Sequence, residues 1–191
     1  GKVYDSKVVN WSPQAMVFYS INDNTNLRMF YFGRSAQPST NQLMPVPDNS
    51  DPLNISLGNP YLEPYFNHNI RARFGYTNKK TFTSVNANIR GTIVANALTN
   101  AQWYREGVNF SIPVNGPATA SVNANIFVNS PIAKSKFSIF SMTFLNYGES
   151  VSYVGTDAFA KGNVTDNAAV KYYDYENAKF DHEQFHKDYP S

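Results

Sequence analysis

Between Thr81 and Ala97 the chain reads TFTSVNANIRGTIVANA. Val85, Ala87, Ile89, Ile93, Ala95 and Ala97 are apolar, whereas Ser84, Asn86, Asn88, Arg90, Thr92 and Asn96 between them are polar. Alternation with period two marks a strand with one face toward an apolar environment and the other toward water or a partner. Gly91 breaks the apolar series and Val94 intrudes on the polar one, which predicts two strands hinged at Gly91. A single extended run of this length would reach roughly 55 Å, about three times a usual strand. The pentapeptide VNANI at 85–89 recurs at 122–126. Shared strand patterning in an Asn-rich chain accounts for that pair better than duplication does.

The same reading finds further strands on both sides. Met16–Ile21 and Leu27–Phe32 flank the Asx-rich turn Asn22–Asn26 as a hairpin. Both runs are apolar on both faces, which places them mid-sheet or beneath another layer or subunit. Ile70–Tyr76 turns through Thr77–Lys80 into the Thr81–Ala97 stretch, and Thr119–Val128 turns through Asn129–Pro131 into Phe137–Leu145. Asn109–Val114 is admitted only as an edge strand, since Pro113 has no N–H for a ladder. Residues 33–69, with prolines at 38, 45, 47, 52, 60 and 64, read as a long Pro/Asn-rich loop region holding one short edge strand at 53–57. Helix is expected only around 178–187. These elements predict an all-β fold, an antiparallel sandwich or jelly roll over 1–155, followed by a polar, Tyr-rich and partly helical extension over 156–191.

Composition narrows the class. Hydrophobic residues make up 42% of the 191 and charged ones 16%, so the chain can bury a core and is not disordered. A formal net charge of +2 excludes a general field for nucleic acid or anionic membrane. With no cysteine there is no disulfide, thiolate metal site or Cys nucleophile. No run approaches the roughly 18 apolar residues of a helical membrane span, so no membrane span is expected. The chain opens at Gly1 without a signal peptide, as a processed or trimmed product does.

Candidate chemistry is sparse. His182-Glu183-Gln184-Phe185-His186 matches HExxH, in which two histidines four apart on a helix share a zinc and the glutamate polarises a bound water. The five residues resemble the signature of zinc-dependent metalloproteases, which implies His182 and His186 as metal ligands and Glu183 as base. Charged Asp181 and Lys187 flank the motif and no third histidine follows it, so coincidence in a polar tail outweighs the zinc site. Asp48 and Asp51 near Asn49 and Ser50, like Asp23 beside Asn22 and Asn24, offer oxygens to calcium, but turn formation explains both groups. No cofactor is expected.

Tyr61, Tyr65, Phe66, Trp103 and Tyr104, near Asn and Asp, form an aromatic set suited to stacking on a glycan or a partner surface, against the commoner fate of core packing. Arg71, Arg73, Lys79, Lys80 and Arg90 read as a solvated hairpin face, not a nucleic-acid groove. Thr81–Ala97 resembles the alternating hairpins of β-barrel pore-forming toxins. Its alanines make a weaker face than lipid requires, where bulky residues and aromatic girdles are expected, so the strand is read as packed in a core or on a subunit.

The function that these features predict is a non-enzymatic structural or binding subunit of a surface assembly, such as a viral or phage capsid, spike or fibre. Its partners would be further copies of itself or an assembly partner, with a glycan or surface receptor in second place, and its location the virion or the cell surface. The second reading is a carbohydrate-binding or adhesion module using the aromatic set. The third is a zinc hydrolase using residues 182–186.

Overall fold

A computed structural model describes residues 10–132, 136–154, 172–174 and 179–190. Lys2–Trp11, whose Val3, Tyr4, Val8, Val9 and Trp11 read as a short first strand closed by the turn at Ser12-Pro13, lies mostly outside the described residues, as does most of the 156–191 extension. The all-β expectation holds, with sheets rich in antiparallel pairs and a short helix near the C-terminus. Two compact units interleave along the sequence: residues 1–36, 66–93 and 120–149 form one, and residues 37–65, 94–119 and 150–191 form the other.

The first unit carries a six-stranded sheet in the order β1 (Gln14–Asn22), β2 (Thr25–Ala36), β5 (Tyr65–Asn78), β6 (Thr83–Ala95), β9 (Thr119–Pro131) and β10 (Ser138–Gly148). β1 pairs antiparallel with β2, opposing Val17 to Met29 and Phe18 to Arg28. β9 pairs antiparallel with β10, opposing Asn125 to Phe144 and Ala124 to Leu145. Residues 79–82 connect β5 to β6, a link too short for anything but an antiparallel pair. β6 runs unbroken through Gly91, where an added Cβ would meet nothing within 4 Å. The expected hinge there is therefore corrected: the glycine sits in open space on a continuous strand, and length, not a bend, is the feature to explain.

Among the described residues this unit buries no hydrophobic side chain; every buried one belongs to the other unit. Strands this apolar without a core of their own must find an apolar environment elsewhere.

The second unit is built differently. Its five-stranded sheet runs β11 (Tyr153–Val154), β7 (Leu98–Arg105), β8 (Val108–Asn115), β4 (Asn54–Ser56) and β3 (Asp48–Asp51). β7 and β8 form a hairpin whose turn residues Glu106 and Gly107 have φ of 52° and 83°, the left-handed pair that a tight hairpin requires. Among the described residues it also holds a two-stranded sheet of β12 (Tyr173–Asp174) and β13 (Lys179–Phe180) and two helices, α1 (Thr40–Leu43) and α2 (His182–Asp188). Its core joins Leu57, Ala101, Trp103, Ile112, Val114, Tyr172, Phe180 and Phe185. The loop expected over 33–69 is thus shorter at both ends, because β2 reaches Ala36 and β5 starts at Tyr65, and it holds α1, β3 and β4.

Pro113 lies in a strand paired on both sides, not at an edge. β4 ends opposite Ser111, so no ladder donor is missed at Pro113, and its carbonyl instead accepts from Asn59 Nδ2 at 3.0 Å.

Asn115 is buried and ties three segments together. Its Oδ1 accepts from the Glu63 N–H at 2.8 Å, and its Nδ2 donates to the carbonyls of Glu63 at 3.1 Å and Asn96 at 3.3 Å. Asn115→Ala leaves those backbone groups unpaired and is expected to cost about 2–3 kcal/mol, read as a lower denaturation midpoint with an unchanged slope. A cost below about 0.5 kcal/mol would show that water replaces the side chain.

Candidate membrane-facing surface and concave groove

Side-chain contacts fix which residues of the six-stranded sheet share a side. The Tyr31 hydroxyl lies 2.9 Å from His68 Nδ1, and a Cβ on Gly33 would fall 2.8 Å from the Phe66 ring, so odd positions of β2 and even positions of β5 are together. Arg73 Nε donates to Asn88 Oδ1 at 3.0 Å and the Thr92 hydroxyl to Asn69 Oδ1 at 3.2 Å, which joins odd positions of β5 to even positions of β6. Thr83 and Ser130 hydroxyls lie 2.9 Å apart, which carries the odd positions of β6 to the even positions of β9.

The two sides differ sharply in chemistry. One carries Val17, Tyr19, Leu27, Met29, Ile70, Ala72, Phe74, Val85, Ala87, Ile89, Val122, Ala124, Ile126 and Leu145, with no charged residue on any of the six strands. Ile89 and Leu145 are 48% and 62% exposed, so this apolar side is not a packed core. Aromatic residues gather toward its ends: Tyr19 and Tyr76 near the short turns, and Tyr31, Phe66 and Tyr147 at the opposite end. The 13 residues of β6 extend about 40 Å and, tilted by about 40° as barrel strands are, rise roughly 30 Å, the thickness of a bilayer's hydrocarbon.

The other side is concave. Residues from all six strands line a groove of about 710 Å³. Arg28, Arg71, Arg73 and Arg90 supply its charge, Asn88, Asn123, Asn125 and Asn146 its remaining polar groups, and Phe18, Phe30 and Phe144 apolar flanks. Arg28 sits over the Phe18 ring at 5.6 Å. No carboxylate lines the groove. The hairpin expected to present Arg71, Arg73 and Arg90 on a solvated face splits instead, with these arginines in the concavity and Phe74 and Tyr76 on the apolar side. The two VNANI copies follow the same rule, Val, Ala and Ile outward and both asparagines inward.

The connections are unequal. β1–β2, β5–β6 and β9–β10 are joined by two, four and six residues (23–24, 79–82 and 132–137), whereas β2 reaches β5 through 37–64 and β6 reaches β9 through 96–118.

The aromatic set predicted from the sequence is dispersed. Trp103 is fully buried and stacked on Phe110, ring centroids 5.5 Å apart, so its faces are taken up by core packing, while Tyr104 is exposed. Phe66 packs against His68 and Trp11 in the six-stranded sheet's unit, with centroids at 4.6 and 6.2 Å. Tyr65 opens β5. Tyr61 stacks on His182, centroids 4.3 Å apart at 15°, a pairing between distant segments that no sequence spacing announces.

The HExxH residues do lie on a helix. Asp181 caps α2, its Oδ1 accepting from Gln184 N–H at 3.1 Å. The His182 and His186 rings are 5.3 Å apart and nearly perpendicular, and His182 Nδ1 is buried with no hydrogen-bond partner. Among the described residues no three His, Asp or Glu side chains gather as a metal site requires. Asp48 accepts from Ser50, and Asp51 from Leu53 N–H and Asn54 Nδ2 at 3.0 and 2.8 Å; these bonds, the side-chain ones first, hold both carboxyls below the ordinary range. Both aspartates thus shape turns.

Burial, reinforced by repulsion from His186, lowers the His182 pKa from its usual 6.5 against the opposing charges of Glu183, Asp181 and Glu63. The unfolded chain then takes up a proton before the folded one, so the stability of α2 is full above about pH 6.5 and falls as pH drops toward the lowered value. Hydrogen exchange of 182–188 should accelerate between pH 7.5 and 5.5 relative to β7, and His182→Gln should remove the difference. Parallel behaviour of both segments would contradict this.

No helix of the described residues is long and apolar enough to cross a membrane, which leaves crossing by strands open. The model of a family described as outer membrane protein beta-barrel matches residues 1–185. No curated protein and no solved structure matches the chain. The family match overturns the predicted virion, capsid, spike or fibre subunit and the predicted zinc hydrolase, and it corrects the expectation of no membrane span, which rested on the lack of an apolar helix and on reading the alanine-bearing Thr81–Ala97 face as too weak for lipid. The cell-surface half of the expected location stands, and the virion half does not. The chain belongs to the outer membrane β-barrel family, whose members lie in the cell envelope.

Proposed function

We propose that the six-stranded sheet is membrane-spanning barrel wall, with its apolar side in contact with lipid and its arginine- and asparagine-bearing side toward an aqueous interior through which polar solutes pass. The observation that carries this reading is the segregation of charge: Arg28, Arg34, Arg71, Arg73 and Arg90 are the only charged residues on the six strands, and all five fall on the concave side by alternation. Chance placement on two sides would scatter them, and since no described hydrophobic side chain of this unit is buried, lipid contact and not a dry core is what keeps charge off the apolar side. The 23–24 and 79–82 turns and the 132–137 connection then share one end of the wall, the periplasmic end in the usual arrangement of such barrels.

Reconstitution tests the reading. The chain, refolded in the presence of phosphatidylcholine vesicles, should float with them and stay through a urea wash. Release by the wash, or strand content formed equally well without lipid, would overturn it.

A further inference from the structure

The concave groove presents four guanidinium groups with no lining carboxylate to neutralise them. Arg73 gives only its Nε to Asn88, and Arg28 is braced on the Phe18 ring, so these contacts position the cations without cancelling their charge. Like charges held on one concave surface repel one another, a cost that an anion removes. All ten lysines of the chain lie outside the six strands, where every cation is an arginine. Arginine's planar fork pairs with carboxylate or phosphate oxygens through two parallel bonds, which a lysine cannot do. Asn123, Asn125 and Asn146 add side-chain N–H donors on neighbouring strands, and Phe18, Phe30 and Phe144 offer apolar surface beside them. Rings of arginine facing a lumen select anions by the same physics.

We propose that this groove is a binding site for small multivalent oxyanions, bound as carboxylate or phosphate groups bridging Arg71, Arg73 and Arg90, and that it gives the aqueous path a preference for anionic solutes. The inference rests on the concave side facing water inside a barrel wall. Arg71 and Arg73 lie two apart on β5, and the Arg73–Asn88 bond brings β6, which carries Arg90, alongside them, so a ligand with two or three anionic groups meets several guanidiniums at once.

Titration calorimetry of the full chain in phosphatidylcholine vesicles, with inorganic pyrophosphate and with citrate as probes, tests this against spermidine at matched ionic strength. Both anions should bind saturably, more weakly as salt rises, while spermidine does not. Arg71→Gln and Arg73→Gln should each weaken binding roughly tenfold, the size expected for losing one charge-assisted contact. Arg73→Lys should recover part of it. Asn123→Asp, nearly isosteric, should weaken binding without removing any arginine, which guards against a variant that simply misfolds. No saturable anion binding, equal binding by the Arg71→Gln/Arg73→Gln double variant, or a preference for spermidine overturns the inference. Stable vesicle retention alongside those results would leave the barrel-wall reading intact; loss of retention in the unaltered chain would remove that reading instead.

Discussion

Ile89→Arg is expected to destabilise the membrane-inserted protein by about 2–4 kcal/mol, while Asn88→Arg, one residue away, changes stability by less than about 1 kcal/mol. Ile89 stands near the middle of β6 on the apolar side, where a guanidinium would sit at the depth of the hydrocarbon with no water to solvate it. Asn88 points the other way into the arginine-lined groove, which already holds polar groups. Ala124→Arg and Asn125→Arg on neighbouring β9 should repeat the contrast. Equilibrium unfolding from vesicles in urea reads the difference. Equal losses at 88 and 89 would mean that both sides are similarly hydrated.

Trp103→Ala should cost about 3–5 kcal/mol and act through an ordinary water-excluded core. Trp103 is wholly buried, stacks on Phe110 and lies in a cluster with Ile112, Val114 and Phe185, so truncation removes both apolar contact and the ring stack. The loss is best read as faster hydrogen exchange through β7 and β8. Trp103→Phe, which refills most of the volume, should recover more than half. If Trp103→Ala changes neither strand's protection, the cluster is not what holds that sheet together.

These two substitutions sit in opposite kinds of apolar environment, and sequence alone separates them poorly. The strands themselves were legible: Met16–Ile21, Leu27–Phe32, Ile70–Tyr76, Thr119–Val128 and Phe137–Leu145 all fall within or nearly within observed strands. Period-two alternation looks the same whether the apolar side meets a core or lipid, and each membrane strand carries only a weak signal by itself. Judged alone, β6 with Ala87 and Ala95 makes a thin lipid face. Its neighbours thicken that face, since Ile70, Ala72 and Phe74 lie on one side and Val122, Ile126 and Val128 on the other.

The gathering of aromatic residues toward the ends of the apolar side is likewise invisible strand by strand, because Tyr31, Phe66 and Tyr147 come from three strands whose register appears only once they are paired. One further signal is legible in the sequence once the strands are placed. Every charged residue of the six strands is an arginine on the side opposite the apolar series; a dry core would also keep charge off that side, so the bias points to lipid only once Ile89 and Leu145 are seen to be exposed. The grouping of Glu63, Asn96 and Asn115, and of Tyr61 with His182, lay beyond reach because long connections set no register.

The most direct test of the membrane-wall account uses the absence of cysteine. Single cysteines placed in turn at each position of 85–93 along β6, with the protein in vesicles, can be tagged with a fluorophore and exposed to brominated lipid, and separately challenged with a membrane-impermeant maleimide. The account predicts strong lipid quenching at 85, 87, 89, 91 and 93 with little aqueous labelling, and the reverse at 86, 88, 90 and 92. Alternation of the opposite phase, or no quenching at either parity, would contradict it.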